Sequence, residues 1–401
     1  MADMAKKRYK MKSAAPSLGR RPKTLRGLLA QVKPLSGIDV PFVTIVFVMV
    51  AFGLVMVFSA SYASAYYRFG DSMTYIRKQV FFAVLGIIAM FIIAHIDYRR
   101  LYKWAFGIMV VTVLLLVIVL FMRPISNARR WIILPVGGTF QPSEIAKFAI
   151  IVLFARLMTA NANRMKEFRY GVLPFLTIFA VVVTLMLLEP HLSGTVLILT
   201  IGLTMMFVGG TSLIWFGVAV GGLAAAIVGV IVMFPDLVWY AESRLQYWID
   251  PFSDALGKGH QTIQSMYAIS SGGLFGVGIG NSAQKYLYLP EPQNDFIFAI
   301  LCEELGFAGA LIVIFLFIAL LVRGLQIAFK AADRFGSLIV IGVVTQITVQ
   351  AILNIAVVTN TIPNTGISLP FFSYGGTSLF MLLCEIGVVL SVARRSGVDK
   401  T

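Results

Sequence analysis

The stretch "DFIFAILCEELGFAGALIVIFLFIALL" (295–321) decides the fold, because after Glu304 it contains no charged residue and is almost entirely apolar. About 20 such residues in a helix span the hydrocarbon core of a bilayer. The whole chain is 59% hydrophobic and 13% charged, whereas soluble domains average roughly 45–50% apolar and roughly 25% charged residues. The sequence therefore predicts an all-α polytopic membrane protein.

Apolar runs separated by short polar breaks predict about ten transmembrane helices. Their approximate limits are residues 41–63, 79–96, 104–122, 143–159, 171–188, 193–209, 213–234, 295–321, 337–358 and 376–393. One large extracellular loop, residues 235–294, separates spans 7 and 8. Loops of this length are uncommon unless they are functional, so we expect amphipathic or re-entrant helices in it. Its "GVGIG" (276–280) predicts a flexible or closely packed glycine turn.

Basic residues predict the orientation of these spans. The net charge is +15, and ten of the 33 Lys and Arg residues lie in the first 38 positions. Because cytoplasmic loops carry an excess of Lys and Arg, both termini are predicted in the cytoplasm. The chain then divides into a basic cytoplasmic tail (1–38), a membrane domain (39–396) and a cytoplasmic C-terminal tail (397–401). The basic tail is either a cytoplasmic tail without a binding role or a site for an anionic membrane surface or a protein partner, and nucleic acid is not indicated.

Cysteine and histidine usage gives no sign of a metal site. Cys302 and Cys384 fall inside apolar runs, and the three histidines are scattered. Neither a disulfide framework nor a metal centre is therefore predicted. A DxD motif, which would indicate a nucleotide-sugar donor bound through a metal ion, does not occur.

Four polar segments lie at the same end of the predicted spans. They are "SNARRWI" (126–132), "QPSEIAK" (141–147), "EPHLSG" (189–194) and "PNTGISLPFFSYGGTS" (363–378). The last contains two prolines and three glycines, and such non-helical backbone is tolerated at membrane depth only where it lines protein or a water-filled cavity. Together the segments predict a polar cavity that opens to the outer face.

Glu144 and Lys147 are three residues apart and therefore neighbours on one helix face. One interpretation is an ion pair within the helix. The other is a functional role, because a Lys one turn inside a membrane helix is costly.

Asp295, at the start of span 8, has two interpretations as well. It could cap the helix, although Asn294 could also do so. It could instead be the single base that a hydroxyl attacking a lipid-linked sugar pyrophosphate requires, with cations stabilising the departing pyrophosphate. The candidate cations are Arg129, Arg130, Lys147, Arg244 and Lys285. A helix N-terminus lowers the pKa of a carboxylate, and burial or the nearby Glu291 would oppose this effect.

Glu303 and Glu304 lie about 12 Å further along the same helix. At that depth a carboxylate needs a partner or a proton. The sequence indicates packing or gating for them and no catalytic role.

The chain resembles the SEDS (shape, elongation, division and sporulation) family, which includes FtsW, RodA and SpoVE. The motifs that carry the resemblance are "GLVMVFSASYASA", "NARRWI", "QPSEIAKFAI", "LPEPQNDFIFAILCEELG", "DRFGSL" and "IPNTGISLPFFSYGGTSL". They occur in the family's order between about residues 38 and 396. The basic tail, "LVMVFSAS" and "ARRWI" favour the FtsW-like division branch, or sporulation, over a RodA-like elongation polymerase.

The resemblance implies a peptidoglycan glycosyltransferase that polymerises lipid II on the outer face of the bacterial cytoplasmic membrane. It implies that Asp295 is catalytic. The predicted substrate-binding residues are Arg129, Arg130, Glu144, Lys147, Gln264, Ser265, Glu291 and Ser373. The implied partners are a class B penicillin-binding protein and other division proteins. A divalent cation, Mg²⁺ or Mn²⁺, could assist, although no dedicated ligand set is evident.

Two departures from the family pattern limit what carries over. Asn294 replaces the usual Thr before the catalytic Asp. The family's "QPDLGT" reads "EPHLSGT" here, so a role of that Asp does not transfer to His191.

Two other functions remain open from the residues alone. A lipid II flippase is compatible with many spans and a polar cavity, and Glu303 and Glu304 are its best support. A non-catalytic scaffold for division proteins would explain the basic tail but not the polar residues at the outer ends of the spans.

Overall fold

The computed structural model describes residues 37–122, 129–133, 139–189, 191–219, 221, 246–257 and 259–396, and its regular structure is almost entirely α-helical. The helices are α1 (Val40–Phe69), α2 (Thr74–His95), α3 (Arg99–Leu120), α4 (Pro142–Ala160), α5 (Phe168–Gly171), α6 (Leu173–Leu188), α7 (Leu192–Val208), α8 (His260–Gly272), α9 (Ile297–Phe329), α10 (Arg334–Val358) and α11 (Gly376–Arg395). Short 3₁₀ turns occur at Ala162–Arg164 and Pro251–Asp254. Strands β1 (Ile132–Ile133) and β2 (Thr139–Phe140) form an antiparallel pair between α3 and α4.

The predicted membrane spans correspond closely to these helices. Within the described residues, seven helical segments are long and apolar enough to cross a membrane, with α5 and α6 counted together. The helices α4 and α7 match two further predicted spans. Of the predicted seventh span, residues 213–219 and 221 are helical, and residues 220 and 222–234 lie outside the described residues. The prediction of an all-α polytopic membrane protein is therefore confirmed.

The helix α10 lies at the centre of the bundle. It packs against α4, α7, α9 and α11, and α2 packs along α11. The outer helices expose apolar side chains, for example Val84, Ile88 and Ile92 on one face of α2. Exposed apolar area on this scale marks a surface that contacts membrane or a partner, and here it covers the flanks of helices that are long enough to span a bilayer.

The predicted glycine turn at residues 276–280 packs tightly against α9. The helix is interrupted at Gly306, whose φ is 66°. Main-chain N–H groups of Val277 and Gly278 donate to the carbonyl oxygens of Glu303 and Glu304 at 3.0 and 2.9 Å. A Cβ atom at Gly276 would stand 2.2 Å from the Glu304 carbonyl oxygen. The closely packed turn predicted for "GVGIG" is thus confirmed, and glycine is required there because the two backbones touch.

Glu303 and Glu304 both have buried partners. Lys285 Nζ lies 3.0 Å from Glu304 Oε1, and Ser59 Oγ on α1 donates to the same carboxylate at 2.6 Å. Glu303 accepts hydrogen bonds from the Ser282 hydroxyl and from the Ala283 main-chain N–H. We call this set the Glu303–Glu304 clamp. It holds residues 282–285 against α9, which fits the packing role.

The clamp corrects one prediction. Lys285 is buried and paired with Glu304, so it is not a cation available to a pyrophosphate. Arg244, another predicted cation, lies outside the described residues.

A second set of ion pairs holds the opposite end of the bundle. Arg323 on α9 binds Asp39, before α1, through two hydrogen bonds of 2.9 Å. Asp333 caps α10 through the Gly336 N–H at 2.8 Å and also accepts from Arg99. These contacts fix the helix ends that lie furthest from the polar segments.

Residues 1–36 and 397–401 lie outside the described residues, so both predicted tails stay predictions. In the described part of the long loop, α8 is the expected helical element. The predicted extracellular placement of residues 235–294 stays a prediction.

Candidate functional site

A cavity of about 660 Å³ lies among the ends of α2, α4, α7 and α11 and the middle of α10. Residues from all four predicted polar segments line it, which confirms that these segments meet. Its charged lining residues are Lys78, Arg130, Glu144, Lys147 and Asp295. Three cations and two carboxylates therefore line one cavity.

Asp295 lies before the first turn of α9 and does not cap it. The helix begins at Ile297, and its cap residue, Phe296, is joined by no side-chain cap hydrogen bond. Asn294 does not cap it either, and its Nδ2 donates instead to Glu291 Oε2 at 3.0 Å. The capping interpretation is therefore wrong in this structure, and the Asp295 carboxyl is left on the cavity wall.

The backbone at Asp295 is held by Asn354, one turn before the C-terminal end of α10. The buried Asn354 Nδ2 donates to the Asp295 carbonyl oxygen at 2.7 Å and to the Ile367 carbonyl oxygen at 2.6 Å. It thereby joins the start of α9 to the non-helical segment 363–375. On the other side, a Cβ atom at Gly366 would stand 3.2 Å from Asp295 Oδ2, so glycine leaves the space beside the carboxyl open.

Burial raises the pKa of Asp295 to about 6, with a further rise from the negative charge of Glu291 and an opposing effect of the Arg130 charge. The carboxyl borders the cavity but is otherwise surrounded by protein. The lowering expected from a helix N-terminus does not dominate, because Asp295 is not a cap. A carboxyl with such a pKa is ionised at neutral pH and remains a better base than an ordinary Asp.

Lys147 and Glu144 form the ion pair predicted from their spacing. Lys147 Nζ lies 2.9 Å from Glu144 Oε2 and 3.2 Å from Gln350 Oε1. Ser378 Oγ donates to Glu144 at 2.9 Å. Both residues also line the cavity, so the ion pair does not exclude a functional role. An ammonium group has three donors, and these two contacts occupy two of them.

Arg130 reaches the cavity from the segment before β1. Its Nε donates to the Glu189 carbonyl oxygen at 3.4 Å. Because Arg130 affects the pKa of Asp295, its charge lies within electrostatic range of the proposed base. Ser373, also predicted, lines the cavity too, and its Oγ accepts from the Leu369 N–H at 2.7 Å.

Four predicted substrate-binding residues do not line this cavity: Arg129, Gln264, Ser265 and Glu291. Ser265 is fully buried on α8 and donates to the Val358 carbonyl oxygen at 2.8 Å. That contact is structural, so substrate binding by Ser265 is not supported. Gln264, its neighbour on α8, is partly buried, and its role stays a prediction.

Arg129 and Glu291 are engaged in contacts outside the cavity. Arg129 is exposed and donates to the Leu120 carbonyl oxygen at 2.9 Å. Glu291 forms an ion pair with Arg68 at 2.6 Å. Its influence on Asp295 is electrostatic, so the structure points to an indirect role for Glu291.

Sequence reasoning missed several polar residues around the site. Lys78 on α2 and Gln350 on α10 line the cavity. Glu385, buried on α11, accepts from Gln346 Nε2 at 2.8 Å. A polar residue inside an apolar span is the signal that could have found Gln350 and Glu385.

His191 lines the cavity but carries no charge there. Burial and the positive charges of Arg130 and Lys147 lower the pKa of His191 to about 3. This agrees with leaving His191 out of the predicted catalytic residues.

The described residues hold no group of three or more His, Cys, Asp or Glu side chains that could bind a metal ion. The described residues therefore supply no such ligand group of their own for a divalent cation. Binding of Mg²⁺ or Mn²⁺ stays a prediction.

Comparison with known proteins identifies the family. A model of FtsW, RodA and SpoVE, described as cell cycle proteins, matches residues 40–397. The chain belongs to the FtsW/RodA/SpoVE family.

Named relatives of this FtsW/RodA/SpoVE protein cover almost its whole length. Stage V sporulation protein E of Bacillus subtilis (strain 168) is 42% identical, with 89% of this chain and 97% of the relative covered. The probable peptidoglycan glycosyltransferase FtsW of Geobacter sp. (strain M18) is 35% identical, with 91% and 99% covered. Several further relatives carry the same glycosyltransferase name. The predicted enzyme class, a glycosyltransferase, is thereby confirmed.

Two solved structures share the fold of this chain. A chain from a structure of a peptidoglycan synthase complex, described as coordinating polymerization and crosslinking, has a TM-score of 0.74 and 28% identity, with 91% of this chain and 100% of that chain covered. The rod shape determining protein RodA of Thermus thermophilus has a TM-score of 0.67 and 26% identity, with 92% and 100% covered. The multi-pass membrane architecture is thus confirmed by two independent chains.

Proposed function

We propose that this protein polymerises lipid II into glycan strands on the outer face of the bacterial cytoplasmic membrane, with both termini in the cytoplasm. The observation that carries the proposal is that Asp295 shares one cavity with Arg130 and Lys147. Burial is the main cause that raises the pKa of Asp295 to about 6. A poised base beside cations suits attack by a hydroxyl on a sugar that leaves a pyrophosphate.

In the proposed reaction the acceptor sugar hydroxyl attacks the anomeric carbon of the lipid-linked donor sugar. A glycosidic C–O bond forms, the C–O bond to the lipid pyrophosphate breaks, and Asp295 takes the hydroxyl proton. Arg130 and Lys147 stabilise the negative charge that develops on the departing pyrophosphate. One carboxylate is enough, in contrast to the carboxylate pair of most glycoside hydrolases.

The proposed biological role is FtsW-like, in cell division. Relatives named FtsW support it, and a relative named for sporulation is 42% identical. A RodA-like elongation polymerase is the alternative within the family. A structural neighbour belongs to a complex described as coordinating polymerization and crosslinking, which supports the proposed class B penicillin-binding protein as partner.

The flippase alternative loses its main support. It rested on Glu303 and Glu304, and both are occupied in the Glu303–Glu304 clamp. A buried ion pair with hydrogen-bonded neighbours is a structural element that cannot be broken cheaply.

The test is lipid II polymerisation by purified protein with its partner transpeptidase, comparing the wild type with Asp295→Asn. Asn keeps the size and the polarity of the side chain but cannot act as a base, so the product should be lost while partner binding is kept. Asp71→Asn is a matched control, because Asp71 pairs with Arg77 in an exposed turn. Full activity of Asp295→Asn would refute the proposed base, and an inactive wild type with a competent partner would reopen the flippase.

A further inference from the structure

Glu189 is a buried carboxylate that directly follows α6 and has no exposed surface. Among the described residues, neither its Oε1 nor its Oε2 has a hydrogen-bond partner. Most buried polar groups are hydrogen-bonded, so an exception requires an explanation. The proposed reaction gives Glu189 no role.

Arg130 supplies the electrostatic link between Glu189 and the cavity. Its Nε donates to the Glu189 main-chain oxygen at 3.4 Å, which places the guanidinium beside this residue. The same charge acts on Asp295. The charge of Arg130 therefore acts on a fully buried carboxylate and on a carboxylate that faces the cavity, and Arg130 itself lines that cavity.

We propose that the ionised form of Glu189 is a counter-charge of Arg130, and that this form takes up one proton from water when a lipid-linked pyrophosphate binds in the cavity. The inference rests on the proposed function, because it requires the pyrophosphate to engage Arg130. The pyrophosphate competes with the Glu189 carboxylate for the Arg130 guanidinium. The buried carboxylate is then left without its cation. A buried, unpaired carboxylate is strongly disfavoured, and protonation to the neutral acid removes the penalty. In its ionised form Glu189 is thus a positioning residue, which holds Arg130 until substrate arrives.

The charges around this turn come from four elements. Arg130 belongs to the segment before β1, His191 begins α7, Lys147 belongs to α4, and Asp295 precedes α9. His191 is neutral above about pH 3, and Asp295 titrates near pH 6. Between pH 7 and pH 9, the carboxyl of Glu189 changes its charge.

The pKa of Glu189 in the protein without ligand decides how the affinity for pyrophosphate changes with pH. Burial raises the pKa of Glu189 to about 8, against the opposing charge of Arg130. Binding of the anion raises that pKa further. Affinity for the pyrophosphate should therefore be constant below about pH 8 and fall about tenfold per pH unit above it, until the pKa of the complex is reached.

The experiment uses the full-length protein in detergent and undecaprenyl pyrophosphate as the probe, which carries no sugar and cannot react. Calorimetric titration from pH 7 to pH 9, in buffers of different ionisation enthalpy, gives the affinity and the number of protons taken up. The wild type should take up nearly one proton at pH 9. Glu189→Gln mimics the protonated state, so it should take up none and bind about tenfold more tightly than the wild type at that pH.

Two further variants keep the test decisive. In Arg130→Gln, Glu189 has no cation to lose, so proton uptake should vanish and affinity should fall at every pH. Asp39→Asn removes a different buried acid, paired with Arg323, and should keep the proton uptake of the wild type. Should Glu189→Gln fail to fold, proton uptake that persists in Arg130→Gln would overturn the inference.

The outcomes separate this inference from the proposed function. Normal binding by Glu189→Gln, with the wild-type proton uptake, would overturn the role of Glu189 and leave the polymerase proposal intact. Absence of binding by the wild type at any pH would overturn the pyrophosphate site itself, and the inference with it.

Discussion

The rate of glycan polymerisation should have an acid limb with an apparent pKa of about 6, because Asp295 can accept a proton only when its carboxyl is ionised. Burial is the larger cause of this raised value, and the charge of Glu291 is the second. For a single group of this pKa, about nine tenths is ionised at pH 7 and about one tenth at pH 5. The value of kcat/KM should therefore fall about tenfold between these two pH values.

A substitution of Glu291 should shift the acid limb of the pH–rate profile while Asp295 itself is unchanged. Glu291→Gln removes a negative charge that raises the pKa of Asp295, so the acid limb should move to lower pH. Glu291 also forms an ion pair with Arg68 at 2.6 Å, and losing that pair could by itself disturb the loop. Arg68→Gln is the matched control, because it breaks the same pair but keeps the Glu291 charge, and it should not lower the limb.

The assay is the initial rate of lipid II polymerisation between about pH 4.5 and pH 8, with purified protein and its partner transpeptidase. Both variants should first be shown to bind the partner as the wild type does. An acid limb with an apparent pKa of about 4, the value of an ordinary Asp, would refute the effect of burial on the pKa of Asp295. Equal downward shifts in Glu291→Gln and Arg68→Gln would refute the electrostatic explanation and indicate a change in the loop.

Three other substitutions test the geometry around the site. Gly366→Ala should lower kcat at unchanged protein yield, because a Cβ would stand 3.2 Å from Asp295 Oδ2 at a residue whose φ is 68°; wild-type rates would show that this space is not used. Asn354→Leu removes two hydrogen bonds and keeps the number and branching of the side-chain heavy atoms; it should lower kcat more than it raises KM, which steady-state rates against lipid II would check. Lys285→Met leaves Glu304 buried without its cation and should lower the free energy of unfolding by about 3–5 kcal/mol, measured by denaturation in mild detergent. Lys285→Met with Glu304→Leu should recover most of that loss, and equal stability of the single and double variants would contradict the argument.

Much of the fold was predictable because the bilayer constrains it. Backbone polar groups in hydrocarbon must be satisfied within the segment, so a long apolar run has to be a helix. The predicted spans 79–96 and 337–358 correspond closely to α2 and α10. Boundaries differ where polar residues continue a helix. The first span was predicted to end at residue 63, whereas α1 continues to Phe69.

Part of the site was predictable for a related reason. A charge at the end of an apolar run is expensive unless it is used, and this singled out Arg130, Lys147, Glu144 and Asp295. All four line the cavity. The same argument failed for Lys285, because the sequence does not show that Glu304 would neutralise it across a loop. It also passed over Glu189, which lies between a helix end and a proline and resembles an ordinary turn residue.

The sequence alone therefore determined which segments span the membrane and which polar segments share one end of the bundle, since hydropathy and helical period are properties of local sequence. Only the tertiary structure decided which charges neutralise one another and which remain open to the cavity. Ser59 meets Glu304, and Asn354 meets Asp295, across long stretches of chain. Such pairings depend on how helices pack, and the pKa of Asp295 depends on them in turn, because burial and neighbouring charge are set by residues that are distant in the sequence.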